Sequence, residues 1–252
     1  MRKLLIYCAI LGATGVGIAT LIGTPSGADR LEHLVGGKPA DQVFQDRRVA
    51  SLVNAACEGD VAAMKRSIAD GADPNFFGSG SVTPLFWALA CRNSAGVEQL
   101  LRAGADPNFM LPGEHGFSPV WGAAAIENSK FLKLLLQYGG DPNAADSEDV
   151  STALERALYL ALEGKGWDNY YALLDAGVDI NREHSGKTIA DQAAALRAYD
   201  KVAELLNRGY DHNLIGLAAV VRIKLPYLSD SQNTWRMKVI GMLEKRGVQV
   251  DH

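Results

Sequence analysis

Residues 83–108 read TPLFWALACRNSAGVEQLLRAGADPN, and this stretch decides the fold. Thr83 can cap a helix through its hydroxyl, and Pro84 falls at the first helical position, where its missing N–H costs no hydrogen bond. Leu85, Ala88 and Leu89 then recur at helical spacing, while the small Ala88 and Ala90 admit a close neighbour. Asn93 and Gly96 interrupt the pattern. Val97, Leu100 and Leu101 open a second apolar face, and Gly104 supplies the left-handed residue that ends it. The stretch therefore predicts two short helices followed by a tight turn, with apolar faces that one such unit cannot bury alone.

Working outward, the closing asparagine recurs at Asn75, Asn108, Asn143, Asn181 and Asn213, in steps of 33, 35, 38 and 32 residues. A recurrence at this period marks a stacked-repeat architecture. The third unit, GFSPVWGAAAIENSKFLKLLLQYGGDPN, replaces Thr83-Pro84 by Ser118-Pro119. The fourth starts at Ser151-Thr152-Ala153-Leu154, and its extra residues are expected within 163–169, between its helices. The fifth is GKTIADQAAALRAYDKVAELLNRGYDHN. On these residues the chain resembles the ankyrin-repeat family, which implies an all-α solenoid of about five to six helix-turn-helix units with β-turn fingers. The expected repeats are 49–75, 76–108, 109–143, 144–181 and 182–213, with a degenerate cap at 214–252, all within a domain spanning 41–252. Val43, Phe44, Val49 and Leu52 are the expected buried positions of the amino-terminal cap.

Residues 4–22 differ from the rest: LLIYCAILGATGVGIATLI follows Arg2 and Lys3 and carries no charge. A run of this length fits either a cleaved signal peptide or a retained signal anchor. Small residues at Ser26 and Ala28 suit cleavage before Asp29, which makes 1–28 the targeting segment and 29–40 a linker. Either way the repeats are expected in a bacterial periplasm, with membrane contact only through 4–22 if they stay attached. Cleavage removes two cations and no acid, taking the formal charge from −4 to −6, which argues against a nucleic-acid partner. Cys57 and Cys91 fall in the first helices of adjacent units, where their backbones are expected to lie too far apart to bridge, leaving both as small buried hydrophobes.

Few residues suggest chemistry. Asp73-Pro74-Asn75 and its repeats lack the alternating oxygen ligands and closing glutamate of a calcium loop, so their side chains are expected to bond their own turns. The five histidines show no metal-ligand spacing, and Gly164-Lys165-Gly166 lacks the rest of a phosphate loop. Neither a cofactor, a metal nor catalysis is expected, and the remaining activity is recognition of another protein by a chain that is a monomer when alone. The resemblance implies binding along the concave first helices and projecting turns. Trp87, Arg156, Tyr159 and Gln192 are the candidates on the helices. Phe77, Phe109, Met110, Glu114 and His115 are those of the first two turns, followed by Glu148, Asp149, Arg182 and His184. Phe86 and Trp121 could serve either contact or core.

The lead-in FQDRRVASLVNAACEGD and the later GKTIADQAAALRAYDKV are similar to exported bacterial ankyrin proteins that act as immunity partners of type VI secretion effectors, phospholipases among them. The resemblance implies a chain that binds and inhibits a secreted phospholipase-like toxin. A periplasmic scaffold or chaperone for a resident enzyme, such as an oxidative-stress enzyme, is the alternative.

Overall fold

A computed structural model describes residues 37–113, 116–146, 151–223 and 227–249. A short α1 (Ala40–Val43) leads into six helix pairs: α2 (Arg47–Glu58) with α3 (Val61–Ala69), α4 (Pro84–Ala90) with α5 (Ser94–Arg102), and α6 (Pro119–Ala124) with α7 (Lys130–Gln137). Then come α8 (Ala153–Leu160) with α9 (Asp168–Asp175), α10 (Ile189–Ala195) with α11 (Tyr199–Asn207), and α12 (Leu214–Arg222) with α13 (Asp230–Glu244). The first helix of each pair lies beside the first helix of the next, so the pairs stack into a solenoid. Between α8 and α9, residues 161–165 add a π-turn, which takes up the extra length of that unit. Among the described residues the fingers contain only isolated bridges, at Phe117 with Asp146, Ala145 with Thr152 and His184 with Lys187.

Local chemistry starts most helices where the pattern predicts. Ser118 accepts from the Trp121 N–H, while Thr152 and Thr188 each form a reciprocal capping box, with Glu155 and Asp191. Thr83 behaves differently from these three. It occupies the N-cap position of α4 in extended conformation, but its hydroxyl makes no cap bond and is buried. Pro84 already removes one donor there, so the helix start is fixed by φ rather than by the side chain. Gly104 ends α5 at φ +90°, a conformation that other residues adopt only with strain. Val43, Phe44, Val49 and Leu52 are all buried, and Phe86 and Trp121 belong to the core.

The turn aspartates behave as expected: Asp73, Asp106, Asp141 and Asp179 each accept the N–H two residues on. The asparagines do something else, because they reach the next unit. Asn75 Nδ2 donates to the Gly104 carbonyl and its Oδ1 accepts from the Asp106 N–H, both at 2.8 Å. Asn108 repeats this pair with Gly139 and Asp141 at 2.9 and 2.7 Å. Asn143 accepts from the Asp179 N–H at 2.7 Å, and Asn181 from those of Asp211 and His212. One amide side chain per unit therefore locks each turn onto the following one.

The opposite end of the stack is equally tight, and it overturns the expectation for the cysteines. Gly96 in α5 lies so close to α2 that a Cβ there would meet the Ala56 carbonyl oxygen at 2.1 Å. Asn93 Nδ2 donates to the Cys57 carbonyl at 3.1 Å across the same junction. This approach brings the Cα atoms of Cys57 and Cys91 to 5.3 Å, within bridging range, and they form a disulfide. Cys91 is exposed and Cys57 half-buried, so neither is a core hydrophobe. Closing a loop of this length restricts the unfolded chain, worth roughly 3–4 kcal/mol. Guanidinium unfolding with and without a dithiol reductant should differ by about that amount, and a Cys57→Ala, Cys91→Ala chain should match the reduced protein and ignore the reductant.

Candidate partner-binding surface

The fingers between α3 and α4 and between α5 and α6 bring together an exposed and a half-buried aromatic residue. Phe77 is 59% exposed and stacks on the half-buried Phe109 with ring centroids 5.0 Å apart; Met110, beside Phe109, is 40% exposed. Packing beneath keeps them outward: a side chain at Gly78 would meet the Phe44 ring at 3.0 Å, so the first finger lies directly on the amino-terminal cap. Met110 also lines an open groove of about 470 Å³, which runs past Asn108, Ser118, Asp141 and residues 143–146 to Arg182. Arg182 is held across it by an Nη1 bond to the Asn143 carbonyl at 2.6 Å.

Tyr159 and Gln192 also meet, the tyrosine hydroxyl donating to Gln192 Oε1 at 3.4 Å across α8 and α10. Both are half-buried, and burial pushes the Tyr159 hydroxyl up to about 12. They lie on the inner helices, one unit apart. Glu114, His115, Glu148 and Asp149 lie outside the described residues.

Three candidates are corrected. Trp87 is only 4% exposed because the amino-terminal cap covers it, with the Phe44 ring edge-on at 5.4 Å. Arg156 is buried with its guanidinium carbon 5.0 Å from the centre of the Trp121 ring, a cation–π contact inside the stack. His184 is buried with Nδ1 3.5 Å from Glu155 Oε2. Each position reads as surface by its place in the repeat, but the preceding or following unit closes over it.

These burials expose a polar centre that residue types alone did not reveal. Ser151 donates through its N–H and hydroxyl to the Asp146 carboxylate, and the Trp121 indole N–H donates to the Ser151 carbonyl at 2.9 Å. Glu155 closes the capping box of α8 and faces His184 beside a cavity of about 20 Å³, room for one water. The Thr152-x-x-Glu155 pattern was the available signal for the helix start, but nothing in it indicates that the glutamate is buried. Among the described residues no three His, Cys, Asp or Glu side chains gather as a metal-binding group.

Burial raises the Glu155 carboxyl above its ordinary value of 4.5, and Asp146 adds to the rise; the Thr152 N–H, His184 and the Thr152 hydroxyl pull it back. A carboxyl with a raised folded value holds its proton more tightly in the folded chain than in the unfolded one. Its contribution favours folding below 4.5 and is lost as pH rises from there through the folded value. Glu155→Gln keeps an acceptor for the Thr152 N–H and removes the titration. Stability measured across that window should fall less steeply with pH in the variant than in the parent, and an identical slope would place the titration elsewhere.

With this geometry in place, comparison with solved structures gives a crystal structure of the human ASB11 ankyrin repeat domain as a neighbour. It is 23% identical, covers 80% of this chain and 85% of the other, and superposes with a TM-score of 0.53. The fold is an ankyrin-repeat solenoid. No family model matches the chain, and no curated protein does.

Proposed function

We propose that this chain is an exported protein-binding module that captures a secreted phospholipase-like toxin through its finger surface and inhibits it, as an immunity partner in type VI secretion. The observation that carries the binding part is the aromatic pair Phe77 and Phe109, held outward with Met110 at the mouth of a groove. Aromatic anchors on a preformed surface are what concentrated binding energy requires.

Export is supported by the Cys57–Cys91 disulfide, since structural disulfides persist in oxidising compartments, and by the uncharged run at 4–22. The periplasm meets both conditions. Among the described residues no helix is long and apolar enough to cross a membrane. The toxin's identity rests on the resemblance of residues 44–60 and 186–202 to exported immunity proteins.

The test is capture with the full chain, tagged at its carboxyl end, from the envelope of its own cells, followed by assay of the captured protein on phospholipid vesicles. The expected partner is a secreted lipid-hydrolysing protein whose activity falls as this chain is added in stoichiometric amounts. Capture of a resident enzyme that stays fully active in the complex would contradict inhibition and favour the scaffold.

A further inference from the structure

The same surface indicates what kind of partner segment it accepts, an inference that rests on the protein-binding reading but not on the partner being a phospholipase. Its apolar part is small and specific. Phe77 and Met110 are exposed, the half-buried Phe109 between their fingers packs against Phe77, and Met110 passes directly into the groove. Its charged part is one-sided. Asp73 and Asp106 stand on the turns that carry Phe77 and Met110, and Asp141 and Asp146 line the groove; the cation among the described groove residues is Arg182. Asp73, Asp106 and Asp141 are exposed, whereas Asp146 is only 8% exposed, fixed by Ser151.

Asp141 and Asp146 outnumber Arg182 in the groove, and the exposed Asp73 and Asp106 on the adjoining turns extend the acidic bias over the finger surface, while Arg182 is held in place by the Asn143 carbonyl. The asparagine bonds hold two of the acids in register, because Asp106 and Asp141 donate their backbone N–H to Asn75 and Asn108 and so cannot swing away from the fingers. Charges fixed in position before binding steer and orient a partner of opposite sign at little cost of reorganisation.

We infer that the finger surface receives an extended, cationic segment of the partner, seating an aromatic or aliphatic side chain against Phe77, Phe109 and Met110 and directing lysines or arginines along the groove toward Asp141 and Asp146. An acidic or phosphorylated segment is disfavoured by the same carboxylates.

Two fluorescein-labelled twelve-residue peptides test this by anisotropy with the full chain, one alternating Phe and Lys and the other Phe and Glu. The cationic peptide should bind at least about ten-fold more tightly at low ionic strength, with the preference shrinking as salt is added. Phe77→Ser with Met110→Ser, both at exposed positions, should weaken it about ten-fold without altering thermal unfolding. Asp106→Asn with Asp141→Asn keeps the turn acceptors and should reduce the preference for Lys over Glu. Binding of neither peptide, equal binding of both, or binding indifferent to Phe77 and Met110 would overturn the inference. A partner captured as above that docks elsewhere would leave the proposed function standing while this assignment falls.

Discussion

The hydrogen bonds from each closing asparagine to the next turn are the constraint on which the arrangement of the fingers depends. A helix pair buries its apolar face only when neighbours stack on it, and apolar packing alone leaves the pairs free to slide or fan. The amides at Asn75, Asn108, Asn143 and Asn181 supply directional contacts at one end of the stack. At the other end Asn93 reaches the Cys57 carbonyl, and Asn169 reaches those of Ala124 and Ile126. With both ends of successive units tied, the fingers are presented at fixed spacing, and the Phe77–Phe109 stack bridges two of them.

The middle of the stack solves a different problem. Asp146, Ser151, Trp121, Arg156, Glu155 and His184 bring polar and ionisable groups into the interior, where each costs energy unless another group answers it. Here the answers come from adjacent units: the Trp121 indole bonds Ser151 of the next finger, Arg156 lies over the Trp121 ring, and His184 faces Glu155. Such a network ties the third, fourth and fifth units together more selectively than apolar side chains could. The convex side has its own link, where Lys201 donates to the Tyr171 hydroxyl at 2.6 Å with its ammonium 4.4 Å from the Trp167 ring centre.

The fold was legible because it is written repeatedly. Period, Pro84 and Pro119, and glycines such as Gly104 each report a local rule, and five occurrences of the closing asparagine leave little room for another architecture. Exposure was legible in the fingers, where Phe77 and Met110 have no following helix to cover them. Trp87, Arg156 and His184 were misread because their burial depends on the neighbouring unit, and a residue's place within its own repeat carries no information about that. The disulfide was misread for the same reason. The approach of Cys57 and Cys91 depends on Gly96, a residue that looks like a helix breaker in sequence and acts as a contact point between backbones.

The most direct test of the account is hydrogen–deuterium exchange of the full chain, alone and bound to its captured partner. The account predicts new protection in residues 73–82 and 106–113 and along the groove at 141–146, with the second helices α3, α5 and α7 unchanged. Protection confined to those second helices, with the fingers exchanging as in the free chain, would contradict it.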